Sequence, residues 1–219
     1  MNRQGDEKRR YDDACGLAHA LELIGERWAM LVLRELAYGP RRFSELRTDL
    51  PGISANVLTQ RLTELERRGI VRKSRLPPPA SVQVYEATEW GLEAAPLIAR
   101  LGKWAARSPL HDPTRPISHV AIMMSLQTML DPARAQATRA RLGFRLGDAT
   151  YVAALHDARL EIERAPIGDC DIIFTAAPAE LAAVIYGGAP LETIGVEGDI
   201  ELATRFVTFF PLPPKASRD

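Results

Sequence analysis

Apolar residues recur at helical spacing in the first part of the chain. Residues 17–24 and 28–36 both follow this pattern, and the second run meets Gly39 and Pro40, which end helices. The stretch RRFSELRTDL at 41–50 predicts a short third helix, and PGIS at 51–54 predicts a turn after it. The chain is therefore predicted to begin with three helices and a turn.

A fourth helix is predicted over residues 54–68, with Gly69 closing it. Ser54 is placed to cap this helix through its hydroxyl. At about 100° per residue, Leu58, Leu62 and Leu65 form one apolar stripe. The opposite face carries polar residues: Asn56, Thr59 at its edge, Gln60, Thr63 and Arg67. Such amides and hydroxyls can bond base edges in a major groove, whereas a merely solvated helix more often shows Glu–Lys pairs.

Two strand-like runs follow the fourth helix. IVRKSRL and VQVYEAT flank the tip PPPAS, which predicts a hairpin stiffened by proline. Arg72, Lys73 and Arg75 on this hairpin are predicted to lie along phosphates or to reach a minor groove. A helix, a turn, a second helix and this wing together predict a winged DNA-binding module.

The formal net charge of zero hides an uneven distribution. Residues 1–108 contain 18 basic and 14 acidic side chains, and residues 109–219 contain 10 and 14. Residues 41–75 alone contain nine basic against four acidic side chains, beginning with Arg41 and Arg42. By charge alone, this cluster is either a footprint for a polyanion or a solvated face. Together with the predicted module it favours double-stranded DNA as the partner.

Several separated segments resemble the HxlR family of winged helix-turn-helix transcriptional regulators, which is related to the MarR group. They are CGLAHALELIGERW, LRELAYGPRRFSELRTDLPGIS, VLTQRLTELERRGIV and YEATEWG, in that order. The resemblance covers a domain over residues 12–108. It implies a homodimeric repressor or activator that places the helix of residues 54–68 in the major groove of an operator. It also implies that the terminal helices of the domain form the dimer contact.

Two further features of this domain have alternative interpretations. Residues 89–107 predict a helix, kinked at Pro96, with Leu92, Leu97, Leu101 and Trp104 on an apolar side that either forms the dimer contact or packs in a core. Cys15 is either structural or a redox sensor, since some regulators resembling this chain sense oxidants through a cysteine at that position. A thiolate near basic side chains is reactive.

The second part of the chain predicts an α+β domain with an antiparallel sheet. RSPLHDPTRPIS at 107–118 is the predicted linker, and an amphipathic helix follows at 117–130. In RARLGFRL, apolar and arginine positions alternate, as in a strand with one wet side. Three more strands are predicted to continue the sheet as an antiparallel meander, in TYVAALHD, ARLEIER and CDIIFTA. Two helices are predicted after them, in PAELAAVIYGG and DIELATRFVTFF.

This second part, over residues 116–212, resembles the sterol carrier protein type-two fold. The resemblance rests on the sheet pattern and on VEGDIELATRF, whose glycine–aspartate turn precedes the last helix. It implies an apolar tunnel for a small hydrophobic ligand. Seven residues are candidates for its wall or, alternatively, for a solid core: Met123, Met124, Phe144, Phe174, Leu181, Phe206 and Phe210.

The sequence argues against an enzyme. The four histidines show no metal-ligand motif, and no nucleophile elbow or glycine-rich phosphate loop occurs, so no cofactor and no metal are expected. No apolar run reaches the about 18 residues that span a bilayer, and MNRQGDEKRRYDD lacks an apolar export region, so a cytoplasmic location is expected. The predicted function is a dimeric transcriptional regulator whose second domain senses a hydrophobic ligand. In the alternative, that domain serves only dimerisation or partner binding.

Overall fold

The structure is a computed structural model that describes residues 11–217. Residues 1–10, which carry most of the predicted charged N-terminus, lie outside the described residues. The chain forms two compact units, here called the front unit, which ends at Ala95, and the rear unit, which begins at Pro96. Each is described by itself.

The front unit contains the four predicted helices and the wing. The helices are α1 (Gly16–Ile24), α2 (Ala29–Glu35), α3 (Phe43–Asp49) and α4 (Ala55–Arg67). Strands β1 (Val71–Arg75) and β2 (Gln83–Ala87) pair antiparallel, with Lys73 opposite Tyr85. The backbone of Arg41 exchanges two hydrogen bonds of 2.8 Å with that of Tyr85, so the chain two residues before α3 is fixed to the wing.

The predicted helix of residues 89–107 is two helices in the structure. They are α5 (Glu89–Glu93) and α6 (Ala95–Ala105), separated at Ala94. Pro96 has no N–H for a bond to the carbonyl of Leu92, and its ring crowds that carbonyl, which accounts for a break instead of a gentle kink. Residues 107–118 form no helix or strand.

The rear unit has a five-stranded sheet covered by helices. Its helices are α7 (His119–Met129), α8 (Pro132–Ala135), α9 (Pro178–Gly187) and α10 (Ile200–Phe206), with short 3-10 turns at Leu191–Thr193 and Val207–Phe209. Its strands are β3 (Ala140–Leu146), β4 (Ala149–His156), β5 (Arg159–Glu163), β6 (Ile172–Ala176) and β7 (Gly195–Gly198). Leu142, Phe144 and Leu146 face the core, as the alternation predicted.

The sheet is mixed, which corrects the prediction of an antiparallel sheet. Strands β3, β4 and β5 form the predicted antiparallel meander, but β6 pairs parallel with β3, with Phe174 beside Phe144. Residues 164–171 carry the chain from β5 to the far side of β3. They pass Gly143, where a Cβ would lie 2.9 Å from Cγ2 of Ile167, so a larger residue there would force this crossing segment to shift. Alternation sets which face of a strand is buried and does not set its neighbour.

Strand β7 was missed by the sequence analysis. It occupies the segment that resembled a glycine–aspartate turn, and it pairs antiparallel with β6, with Val196 opposite Phe174. Asp199 then caps α10 by accepting a hydrogen bond of 2.9 Å from the backbone N–H of Leu202. The segment is therefore both an edge strand and the start of a helix.

Candidate nucleic-acid interface

Helix α4 presents a polar face to solvent. The hydroxyl of Ser54 accepts a 3.3 Å hydrogen bond from the backbone N–H of Val57, which is the predicted cap. Leu58, Leu62 and Leu65 are buried. The predicted contact residues of this segment are all exposed: Ser54, Asn56, Thr59, Gln60, Thr63 and Arg67. The face on which the interface was predicted is thus accessible.

Two arginines fix α4 to the helices before it. Arg61 is buried, and its Nη1 lies 2.6 Å from Oε2 of Glu64 and 3.6 Å from Oε2 of Glu26. Nη1 of Arg68 donates a 2.6 Å hydrogen bond to the carbonyl of Leu23 at the end of α1. In the sequence, both arginines stand out only as charges of the basic cluster at residues 41–75. Arg61 could have been recognised, because it stands three residues after Leu58 and four before Leu65, on the buried stripe.

The amide of Gln60 has a defined orientation. Its Nε2 donates a 3.3 Å hydrogen bond to Oε1 of Glu64, whose other carboxylate oxygen holds Arg61. This bond uses one N–H of Gln60. The second N–H and the carbonyl oxygen are the pair of groups that an adenine edge requires.

The structure corrects the expectation that Arg41 contacts DNA. Arg41 is only 3% exposed, and its guanidinium bonds to Asp49 and lies 3.2 Å from Glu45 and 3.9 Å from Glu35. Burial acts to lower the pKa of Arg41, but the hydrogen bond and charge of Asp49, with the charges of Glu35 and Glu45, raise it overall. The side chain therefore ties α2 and α3 together, while the neighbouring Arg42 is exposed.

The three basic residues of the wing differ in their surroundings. Nε of Arg72 donates a 2.9 Å hydrogen bond to Glu86 across the hairpin. Nζ of Lys73 lies 3.0 Å from Glu66 of α4, and this partner raises the pKa of Lys73. Arg75 is exposed, and within residues 11–217 it pairs with no carboxylate. The positive charge of Arg75 is therefore the least compensated of the three.

All seven candidate ligand residues of the rear unit are buried. Centroid distances are 5.4 Å for Phe144 and Phe174, 5.6 Å for Phe174 and Phe206, and 4.9 Å for Phe206 and Phe210. At these distances the rings contact one another. A ligand among these four rings would have to displace them. Met123 and Met124 lie on α7, and Leu181 lies on α9.

Two polar pairs occur within this apolar unit, and the sequence analysis did not find them. Nδ1 of His119 and the hydroxyl of Tyr151 are 2.6 Å apart, and both residues are buried. The hydroxyls of Ser125 and Tyr186 are 2.7 Å apart. Burial raises the pKa of Tyr186 to about 12, although the bond with Ser125 acts in the opposite direction.

Cys15 is exposed and immediately precedes α1. The backbone N–H groups of Leu17 and Ala18, at the start of α1, act to lower the pKa of its thiol. Cys170, the other free cysteine, is half-buried in the segment that crosses β3. The two cysteines therefore differ in exposure.

An apolar surface is exposed on the helices expected to form a dimer. No residue of α6 is buried, and Leu97, Leu101 and Trp104 are 63%, 46% and 69% exposed. Leu17 and Leu21 on α1, and Trp90 and Leu92 on α5, are also exposed. An amphipathic helix without a buried residue leaves its apolar face available to a partner.

The capped helix α4, the helices α1–α3 before it and the basic β1–β2 wing define a winged helix-turn-helix DNA-binding module. Residues 23–111 match the family model described as HxlR-like helix-turn-helix. The chain belongs to the HxlR family of transcriptional regulators, which bind DNA and commonly act as dimers and are not enzymes.

The chain is similar to several regulators of Bacillus subtilis (strain 168). It is 36% identical to the uncharacterised regulator YvaP over 86 residues, which is 39% of this chain and 80% of YvaP. It is 40% identical to YkvN over 92 residues, which is 42% of this chain and 77% of YkvN. The solved structure of the reduced form of YodB, at 32% identity, covers 46% of this chain and all of YodB, with a TM-score of 0.40.

Two features of the described residues bear on other classes of site. Among residues 11–217, no group of three or more histidine, cysteine, aspartate or glutamate side chains is arranged to hold a metal ion. In the same part of the chain, no helix combines the length and the apolar composition needed to cross a membrane.

Proposed function

We propose that this protein is a homodimeric transcriptional regulator that places α4 in the major groove of an operator and the β1–β2 wing against its backbone. The observation that carries the proposal is the capped, polar and exposed face of α4, held from behind by Arg61 and Arg68. A reading helix must be fixed to a scaffold, because its side chains read bases only when their positions are set.

The proposed contacts divide into base readout and backbone positioning. Asn56 and Gln60 read base edges, because amides can donate and accept at adenine. Ser54, Thr59 and Thr63 bond phosphates or bases at the groove. Arg42, Arg67 and Arg75 bind phosphates, while Arg72 and Lys73 contribute less because Glu86 and Glu66 already pair with them.

The proposed dimer forms through α6, together with α1 and α5, which also expose large apolar side chains. The family commonly acts as a dimer, and the apolar face of α6 has no cover in one chain. Burying apolar surface contributes about 25 cal/mol per Å², so three large side chains of α6 supply a substantial part of a dimer contact. The DNA-binding domain of residues 12–108 thus includes α6 as its dimer helix.

Two roles are proposed for the domain of residues 116–212. In the first, the domain is similar to the sterol carrier protein type-two fold and senses a small hydrophobic ligand; its polar pairs, Ser125–Tyr186 and His119–Tyr151, would orient that ligand within apolar walls. In the second, the domain supports dimerisation or partner binding without a ligand, and the direct contacts among the four phenylalanine rings favour this role.

One experiment tests DNA reading and dimerisation together. Binding to a random duplex library should select two half-sites related by two-fold symmetry, and sedimentation should show a dimer. Trp104→Glu should dissociate the dimer and weaken binding to the selected duplex, whereas Leu110→Glu, at an exposed linker residue, serves as the control. A library without enrichment, or a monomer that binds single half-sites with full affinity, would contradict the proposal.

The two roles of the rear domain are separated by native mass spectrometry of the protein as purified from cells. A ligand-sensing domain should carry a co-purifying mass of lipid-like size. A dimer without added mass favours the second role.

A further inference from the structure

The last described residues of the chain bind the end of α6. In residues 211–217, which have the sequence PLPPKAS, the backbone N–H of Ala216 donates a 2.8 Å hydrogen bond to the carbonyl of Arg107. Nε of Arg107 donates in return to the carbonyl of Pro214, at 3.2 Å. Nζ of Lys215 donates to the carbonyls of Ala106 and Ser108, at 3.0 and 3.1 Å. Four bonds thus join two segments separated by about a hundred residues.

These bonds supply partners to carbonyls of the turn that directly follows the helix. The last carbonyls of an α-helix have no partner within it, and the C-terminal end carries partial negative charge. An ammonium group placed just past this end of a helix interacts favourably with the helix dipole. Lys215 therefore caps the turn that follows α6, although it lies far from that helix in sequence.

The other end of this segment is anchored in the aromatic core. Phe209 and Phe210 are buried, and both contact the ring of Phe206, at centroid distances of 6.1 and 4.9 Å. The carbonyl of Phe209 accepts a 2.8 Å hydrogen bond from the backbone N–H of Asp131. The segment therefore begins at a phenylalanine cluster of which two members, Phe206 and Phe210, were predicted either to line a ligand cavity or to fill a solid core.

The composition of the segment suits it to transmit a displacement. Pro211, Pro213 and Pro214 fix three φ angles in four residues, so the chain between Phe210 and Lys215 is a semi-rigid spacer. A further hydrogen bond also holds α6 in place. Nζ of Lys103 on α6 donates to the carbonyl of Thr128, near the end of α7, at 3.1 Å. Helix α6 and the turn after it are thus bonded at two points to other segments of the rear unit.

We propose that residues 211–217 form a strap that positions α6, so that movement of the Phe206–Phe210 cluster changes the geometry of the dimer helix. The inference rests on the proposed function, because it takes α6 as the dimer contact. Lys215 is a positioning residue, with no contact to DNA assigned to it. Through the strap, any event that displaces the cluster is coupled to operator affinity, and the coupling is reciprocal.

Hydrogen exchange on the full-length protein tests the strap directly. The amides of Ala106, Arg107 and Ser108 bond to carbonyls of α6, at 2.9, 3.2 and 2.9 Å, and report its last turn. Lys215→Met keeps the side-chain stem and removes the ammonium. Exchange of these amides should accelerate about fivefold, since a hydrogen bond contributes about 1 kcal/mol net. Arg115→Met, which removes one exposed linker charge, should leave them unchanged.

Two further measurements test transmission. Phe210→Leu, a milder change than truncation to alanine, should accelerate exchange of the same three amides in the wild-type background and have little added effect in Lys215→Met. Lys215→Met should also raise the dimer dissociation constant roughly threefold, with unchanged exchange in α4 as evidence that the front unit is intact. Unchanged exchange at residues 106–108 in both variants would overturn the strap.

The outcomes separate this inference from the proposed dimer. If Trp104→Glu leaves the dimer unchanged, the dimer assignment of α6 is wrong, while the exchange data still decide whether the strap holds the helix. If Trp104→Glu dissociates the dimer but Lys215→Met accelerates exchange without changing dimer affinity, the strap caps α6 and the proposed coupling is wrong.

Discussion

The front and rear units use different interactions to hold their interiors. Glu35, Arg41 and Arg61 are buried in the front unit and joined to partners by ion pairs, whereas the rear unit buries His119 against the hydroxyl of Tyr151. The rear core is instead a cluster of phenylalanines between sheet and helices. Ion pairs are directional and cost desolvation, while aromatic burial is strong and tolerates several geometries.

The difference has a functional interpretation. The front unit must hold α3 and α4 in one orientation, because side chains on α4 have to meet base edges. Arg41 and Arg61 lock these helices through partners on α2, α3 and the α1–α2 connection. The core of the rear unit holds no helix that must meet base edges, so the burial of apolar surface area alone can stabilise it. Five predictions test this contrast, from the largest expected effect to the smallest.

The largest effect is expected from the aromatic cluster. Phe206→Ala should lower the free energy of unfolding of the rear unit by about 3–5 kcal/mol, because it removes a fully buried ring that contacts four others. Hydrogen exchange of β3 against denaturant measures it. Ile200→Ala, at an exposed position on the same helix, should cost less than about 0.5 kcal/mol. An equal loss of protection in α4 would show that the two units do not have separate cores.

Arg41→Ala should destabilise the front unit by about 3 kcal/mol, because Glu35 and Asp49 lose their buried partner. This value is at the lower end of the about 3–5 kcal/mol that breaking a buried ion pair costs, since Glu45 keeps contact with water. Exchange of α3 and α4 amides measures it, and Arg42→Ala is the matched control. A neutral Arg41→Ala would mean that apolar packing alone holds this unit, which removes the contrast with the rear core.

Gln60→Ala should cost about 1–3 kcal/mol at one base position of the selected operator and little at the others. The amide is expected to pair with a base through the groups that Glu64 leaves available. Fluorescence anisotropy on the selected duplex and its single-base variants measures the change. A parallel loss of specific and non-specific affinity would show that Gln60 positions the helix and does not read sequence.

Arg75→Ala should weaken binding to all duplexes about equally and reduce the salt slope by about one. Arg72→Ala should act in the same way with a smaller loss, because Glu86 already compensates its charge. Anisotropy titrations at four salt concentrations measure both. Equal losses in the two variants would show that the Arg72–Glu86 pair opens on DNA.

The smallest effect concerns Cys15. Because its pKa is lowered, its thiolate forms at lower pH than that of an ordinary cysteine, and iodoacetamide should modify it several-fold faster than Cys170 at about neutral pH. Rates are measured by peptide mass spectrometry, with Cys15→Ser as the blank. Unchanged operator affinity after complete alkylation of Cys15 would favour its structural role over a redox role.

Local signals in the sequence determined the elements and their faces. The spacing of Leu58, Leu62 and Leu65 and the cap at Ser54 set the orientation of α4, because a helix places residues three and four apart on one side. Alternation in residues 140–146 set the buried face of β3 for the same kind of reason. These patterns depend only on neighbouring residues.

Only the tertiary structure decided which elements and charges meet. Arg41 and Arg42 are adjacent in sequence, yet one is enclosed by three carboxylates and the other is exposed. Strand β6 lies beside β3, and Lys215 caps the turn after α6, through contacts between residues about 30 and 109 positions apart. The local sequence shows that a residue is charged or that a segment favours a strand. It does not show the distant partner of either, which depends on how the whole chain packs.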